Sequence, residues 1–327
     1  MSMTHLETRL IPARFQPVLE AIAQASVALS DRIRRGGEMA QGAATADAAA
    51  EALFTAALRG AGVRWLSTPR QPAPQVLQPD GALAMALDPL EGAPGIEADI
   101  PAGTIFAIFA AADTGQAADT GAASFLRPAR DMLAAGYVLH GPRCCLVVSC
   151  GQGTQVHVLD PESRRFALAH ARVALPPTAP EFAIDAANYR HWARPVRAYV
   201  DDCMAGTEGP RAREFSMRWT SSLVAEAHRI LMRGGIFLDP AIARPGGDRG
   251  RLRLLHQAAP IAFLIEQAGG RATDGALPLL DAPIPALDAR SPLVFGSADK
   301  VERVAGYHDL PEAEVSALFG HRGLFRA

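Results

Sequence analysis

Lysine is nearly absent from this chain, aromatic residues make up only 6%, and no apolar run reaches the roughly 18 residues that a membrane crossing needs. Each shortage excludes something. A membrane-spanning helix is not expected. With 32 basic against 34 acidic residues the net charge is −2, so there is no basic footprint for nucleic acid and no polybasic patch for a lipid surface. The four cysteines (Cys144, Cys145, Cys150, Cys203) lack zinc-site spacing and suit a reducing compartment, which makes the cytoplasm the expected location. Met1 to Gln16 alternates charged and apolar residues without the apolar core of a signal peptide. A Gly-x-Ser-x-Gly elbow and a Walker loop are both missing, which argues against a serine hydrolase and a P-loop enzyme.

What is present is a chain of 327 residues, 49% hydrophobic, long enough for one large or two moderate domains. Apolar residues at helical spacing (Leu19, Ile22, Ala25, Leu29, Ile33) predict a helix over 15–35, stopped by Gly36-Gly37. An alanine-rich helix follows over 45–58. Short apolar runs bounded by Gly and Pro predict strands at 63–66, 82–87, 103–111, 130–139, 144–150 and 155–159, the last three an antiparallel meander. Residues 67–81 hold four prolines and read as a loop, and 113–121 as a polar turn. Leu175-Pro-Pro-Thr-Ala-Pro180 reads as a linker that divides the chain into domains 1–177 and 178–327. Beyond it the pattern predicts strands at 182, 236–238, 251–255 and 293–295. Helices are predicted at 195–204, 221–232 with Ser221 as cap, 260–267 and 311–318. Mixed order of this kind indicates a layered α/β protein.

Chemistry concentrates in Leu87-Asp88-Pro89-Leu90-Glu91-Gly92, followed by Glu97. A buried strand leads in, Pro and Gly stop it, and three acids then sit on a tight turn where they can converge on a hard cation. The same acids also suit a solvated turn. A second cluster is basic: Arg213, Arg218, Arg249, Arg251 and Arg253. Arg251 and Arg253 alternate in a predicted strand and so share a face, and the guanidinium fork matches phosphate, although ordinary surface charge accounts for such residues too. His228 lies on an apolar-rich helix and reads as a core histidine.

These stretches resemble the class I fructose-1,6-bisphosphatases. The resemblance rests on Asp88-Pro-Leu-Glu-Gly, Gly103-Thr-Ile-Phe106, Arg229 to Leu238 and Pro260 to Gly275, and spans roughly Asp31 to His308. Ala187-Asn-Tyr-Arg-His-Trp192 is similar to the bacterial photosynthetic-type branch. It implies an α/β/α/β/α sandwich of two domains, a homodimer or homotetramer, and hydrolysis of the 1-phosphate of a sugar bisphosphate with Mg²⁺ or Mn²⁺. Residue by residue, it assigns Asp47 and Glu97 to catalysis and Asp88, Glu91 and Gln257 to the metal. Tyr189, Arg218, Arg251 and Arg253 fall to the sugar phosphate.

Five departures accompany the match. Thr68-Pro69 stands where the family has two metal-binding glutamates, and Gln257 where it has a third. Ala93-Pro94 replaces a hydroxyl pair, Asp185 a phosphate-contacting asparagine and Asp239 a phosphate-contacting tyrosine. Magnesium affinity follows ligand charge, so the expectation is a weakened phosphatase. The alternative is a catalytically inactive paralogue serving as a binding or regulatory subunit, including in a hetero-oligomer with an active one.

Overall fold

The computed structural model describes residues 4–112, 121–242 and 250–309; Arg249, most of the polar turn at 113–121 and the helix expected over 311–318 lie outside the described residues. Five layers alternate between helix and sheet. On the outside, α1 (Gln16–Arg35) and α2 (Ala43–Leu58) pack together. α1 buries Val18, Leu19, Ile22 and Leu29, the stripe its 3.6-residue period dictates. Gly36 ends it at φ 67, a conformation that suits a residue without Cβ.

These helices cover one face of an eight-stranded sheet. Its strands are β1 (Val63–Ser67), β2 (Gln75–Val76), β3 (Leu83–Glu91), β4 (Ala102–Ala110), β5 (Ala134–His140), β6 (Cys144–Ser149), β7 (Thr154–Asp160) and β8 (Arg165–Val173). Their spatial order is β2-β1-β3-β4-β5-β6-β7-β8, antiparallel except where β1 runs parallel to β3. β3 to β6 read as unbroken apolar runs because helices cover both of their faces. β8 escapes the sequence pattern. It is an edge strand, largely exposed, with Arg165, His170 and Arg172 along it, and such an edge is kept charged rather than apolar.

Across the chain's second half run α3 (Arg194–Met204), α4 (Leu223–Arg233), α5 (Ala259–Gln267) and α6 (Ala298–His308). With them come β9 (Glu181–Ile184), β10 (Ser216–Met217), β11 (Ile236–Asp239), β12 (Leu252–Arg253), β13 (Arg271–Thr273), β14 (Arg290–Ser291) and β15 (Leu293–Gly296). A five-stranded sheet is ordered β10-β9-β11-β15-β13, and β12 pairs with β14 apart from it. α4 and α5 fill the layer between the two sheets, and α5 is buried nearly all round, as a central helix must be. α3 and α6 close the far side. The result is the α/β/α/β/α order. The expected boundary at 177 falls in the connection between β8 and β9, and both sheets contribute to one buried core on either side of α4 and α5.

Three local expectations are corrected. β3 does not stop before the acids; it carries them, running through Pro89 to Glu91. The strand predicted at 251–255 is only Leu252–Arg253, after which Leu254–Ala258 forms a π-helical turn leading into α5. The cap of α4 is Ser222, whose Oγ accepts from the Ala225 amide at 3.3 Å, while Ser221 precedes it in a left-handed conformation, φ 57.

Candidate active site

In a regular strand, residues three apart face opposite sides, so Asp88 and Glu91 could not serve one cleft. A bulge changes this. Asp88 pairs with Ile105 and Glu91 with Gly103, three steps on β3 against two on β4. The extra residue returns Glu91 to the side of Asp88. Pro89 has no N–H to offer a ladder and is tolerated at such a point. Its carbonyl accepts from Thr104 Oγ1 at 2.8 Å, which pins the bulge.

The bulge forms one wall of a cleft of about 260 Å³, from Asp88 through Pro94, and Asp47, Pro69, Arg70, Arg253 and Gln257 complete it. α2 supplies Asp47. One turn along the same helix face, buried Glu51 accepts from Thr68 Oγ1 at 2.7 Å and pairs with Arg70 at 3.0 Å. Where the resemblance calls for metal-binding glutamates, Thr68 is therefore tied to Glu51.

Gln257 has a fixed orientation. The Arg253 amide can only donate, so the Gln257 oxygen must face it, at 2.9 Å. That leaves the Gln257 nitrogen to donate to Asp88 Oδ2, at 2.8 Å. In this arrangement the Gln257 oxygen faces the backbone and an N–H faces the carboxylate.

Glu91 is also committed. It reaches the first turn of α4, accepting from the Leu223 and Val224 amides at 3.1 and 3.3 Å and from Ser222 Oγ at 3.4 Å. A helix N-terminus suits a carboxylate because its first amides lack partners within the helix. Burial nevertheless lifts Glu91 to about 7 against those donors, and the nearby Asp88 charge adds to the rise. Burial likewise lifts Asp88 to about 6; the Gln257 bond opposes this and the Asp47 charge reinforces it. Asp47 itself is raised, first by burial, with Arg70 pulling it down and Glu51 pushing it up.

The donor set at the cleft is small and made of carboxylates, the ligand type that suits a hard divalent ion. Among the described residues no group of three or more His, Cys, Asp and Glu side chains is arranged to hold a metal. Magnesium can be held by one or two carboxylates with water and substrate phosphate completing its octahedron. Asp47 and Asp88 line one cleft and each feels a like charge, which is the setting that draws a cation.

The other expected residues are not brought to this cleft. Glu97 is exposed on the turn Ala93–Ala98, outside the cleft lining. Tyr189 is 41% exposed and donates to Asp201. Arg218 is exposed with its guanidinium on the Met217 carbonyl, 3.2 Å away. Arg251 does not share a site face with Arg253: Arg253 lines the cleft, while Arg251 is held by Asp239 and Asp185. His228 is half-buried and bonds Tyr137 Oη at 3.0 Å, a packing role. Arg70, Glu51 and the α4 N-terminus are the functional neighbours that the sequence reading missed. Asp47 and Glu51 four residues apart on one helix were the available signal.

Alternating layers of this order, with an acidic cleft at a bulged strand, define the class of layered α/β sugar phosphatases. Sequence models described as the N-terminal and C-terminal domains of fructose-1,6-bisphosphatase match residues 13–171 and 175–309. The chain belongs to the fructose-1,6-bisphosphatase family. It is 52% identical to the class 1 fructose-1,6-bisphosphatase of Paracoccus denitrificans, over 100% of both chains, and 51% identical to one from Cereibacter sphaeroides, over 97% of both. Among solved structures it is similar to Leishmania major fructose-1,6-bisphosphatase in its holo form. The TM-score is 0.85 at 28% identity, covering 93% of this chain and 97% of that one.

Proposed function

We propose that this chain is a metal-dependent phosphomonoesterase of the fructose-1,6-bisphosphatase type, acting on a sugar phosphate with a single divalent ion. One observation carries the reading: Asp47 and Asp88 line the same cleft with Arg253, and Asp88 is buried and raised in part by the charge of Asp47. Mg²⁺ or Mn²⁺ held by these two carboxylates would neutralise phosphate charge and acidify a water. Arg253 pairs with phosphate oxygen through its guanidinium fork. Asp47 would help activate the attacking water through the ion it holds. Ala93 and Pro94 offer the phosphate no hydroxyl, so its charge falls on Arg253 and the ion. Glu91 holds the α4 N-terminus against the bulge and keeps the cleft wall in place. By family resemblance the active form is a homodimer or homotetramer, which sizing of the purified chain checks.

A second reading is favoured by a separate observation. Asp88 and Glu91 already have protein donors, from Gln257 and from α4, so the cleft is partly satisfied without any ion. On that reading the chain is a non-catalytic binding or regulatory subunit. Phosphate release from fructose 1,6-bisphosphate, with and without millimolar Mg²⁺ or Mn²⁺, separates the two. Metal-dependent release that is lost in Asp88→Ala supports the phosphatase. Folded protein that releases none sinks it, and release untouched by Asp88→Ala removes the cleft from the account.

A further inference from the structure

Arg70 is the second cation on the cleft wall, with Arg253 the first. β1 ends at Ser67, and Thr68 to Gln71 then close a tight turn, in which the Gln71 amide donates to the Thr68 carbonyl at 3.2 Å. Pro69, whose ring presets φ, heads the turn and places Arg70 at its third position. Buried Glu51 on α2 fixes the whole turn. Its Oε1 accepts from Thr68 Oγ1 at 2.7 Å and from Gln71 Nε2 at 3.4 Å, and its Oε2 pairs with Arg70 Nε at 3.0 Å.

The contact with Glu51 uses one corner of the guanidinium. Nη1 reaches the Ala44 carbonyl only at 3.5 Å, the outer limit of a hydrogen bond, and Nη2 has no hydrogen-bond partner among the described residues. An arginine committed wholly to a carboxylate meets it with two parallel N–H groups. Here the terminal pair stays open, and the side chain is 42% exposed. Arg70 is also close enough to Asp47 to hold that carboxyl down against its burial. The cleft lining sets three acids, Asp47, Asp88 and Glu91, against Arg70 and Arg253, a formal charge of −1 before any ion enters. A divalent ion turns this to +1, the sign that draws an anion; without Arg70 the same ion would only neutralise the cleft.

We propose that Arg70 is a phosphate-binding residue of the cleft: its open Nη1 and Nη2 edge takes the non-bridging oxygens of a phosphate monoester dianion, while Nε stays on Glu51. The planar fork matches two phosphate oxygens at once, and giving up the long contact to the Ala44 carbonyl costs little. Because Glu51 and the turn already order the stem, less freedom is lost when phosphate arrives than for an untethered arginine. The inference rests on the phosphatase reading for what enters the cleft and adds a residue that binds it.

The test is calorimetric titration of the full chain with inorganic phosphate, which is not turned over, with and without millimolar Mg²⁺. Arg70→Gln should weaken phosphate binding about tenfold, as loss of a charged fork within hydrogen-bonding range does. That change leaves buried Glu51 without its cation, so the comparison is repeated in a Glu51→Gln background, where no carboxylate is stranded and removing Arg70 should still cost about tenfold. A second readout needs no variant. Phenylglyoxal can reach the exposed Arg70, and peptide mass spectrometry should find its labelling slowed by phosphate, while Arg59, exposed in the neighbouring hollow, is labelled as before. Equal phosphate affinity with and without Arg70 overturns the inference, as does labelling of Arg70 that phosphate does not slow. A wild type that binds no phosphate in either buffer overturns it too. Arg70-dependent phosphate binding by a chain that releases none from fructose 1,6-bisphosphate would sink the phosphatase reading and leave Arg70 a phosphate ligand.

Discussion

Replacing Asp88 and Glu91 by their amides should make the chain progressively more stable than wild type as pH rises. Both acids stand higher in the fold than their ordinary values of 3.8 and 4.5, Asp88 at about 6 and Glu91 at about 7, with burial the main cause. A raised carboxyl binds its proton more tightly folded than unfolded. Its contribution is complete below the unfolded value and is lost as pH rises through the folded one. Above pH 5 Asp88 gives up its contribution first and Glu91 about one pH step later, each at about 1.4 kcal/mol per pH step. The pair together therefore accounts for about 4 kcal/mol between pH 5 and pH 8, or a Tm difference of roughly 8 °C at about 2 °C per kcal/mol.

Wild type alone is a poor reporter. Burial pushes His140 and His256 down to about 3, and His157 and His228 to about 4, so their contribution runs the opposite way below the usual histidine range. The informative quantity is the Tm of Asp88→Asn/Glu91→Gln minus that of wild type, followed by scanning fluorimetry or calorimetry from pH 5 to 8. It should grow steadily. Mg²⁺ at pH 8 should raise the wild-type Tm and leave the variant unmoved. An offset that stays constant across the range would refute the reasoning.

Other perturbations bear on the same architecture. At pH 5, where Glu91 is still protonated, Glu91→Ala strands the α4 amides and should lower stability by about 2 kcal/mol in urea unfolding, while Glu91→Gln, which keeps an acceptor, should stay near wild type. Thr104→Val removes the bond to the Pro89 carbonyl inside the bulge; a loss of about 1 kcal/mol is expected, with weaker metal response because the bulge aims both acids. Gly103→Ala sets a Cβ about 2.4 Å from Val224 Cγ2 and must push α4 off β4, costing about 1–3 kcal/mol, with partial rescue by Val224→Ala as the check.

The layered fold was legible because its signals are long and local. α1 announces itself by period and by Gly36, and β3 to β6 by apolar runs that only a doubly covered sheet produces. β8 was not, since an exposed charged edge carries no apolar run. The acids Asp88 and Glu91 could be singled out from sequence, yet Pro89 suggested a turn when it marks a bulge, and only pairing with β4 reveals which way the acids face. The fates of Gln257 and Arg251 were beyond reach for a similar reason. Both are decided by partners far along the chain, Asp88 for the first and Asp239 with Asp185 for the second. Family wording identified the positions; the partners decide what each side chain can still do.

The most direct test of the account is the number of ions the cleft takes. Mn²⁺ titrated into the metal-free chain, with binding read by electron paramagnetic resonance and calorimetry, should reach one ion per chain. Asp88→Asn or Asp47→Asn should abolish it, while Gln257→Leu should leave the count at one. Two or three ions per chain, or one that survives the loss of Asp88, would contradict the single-ion cleft.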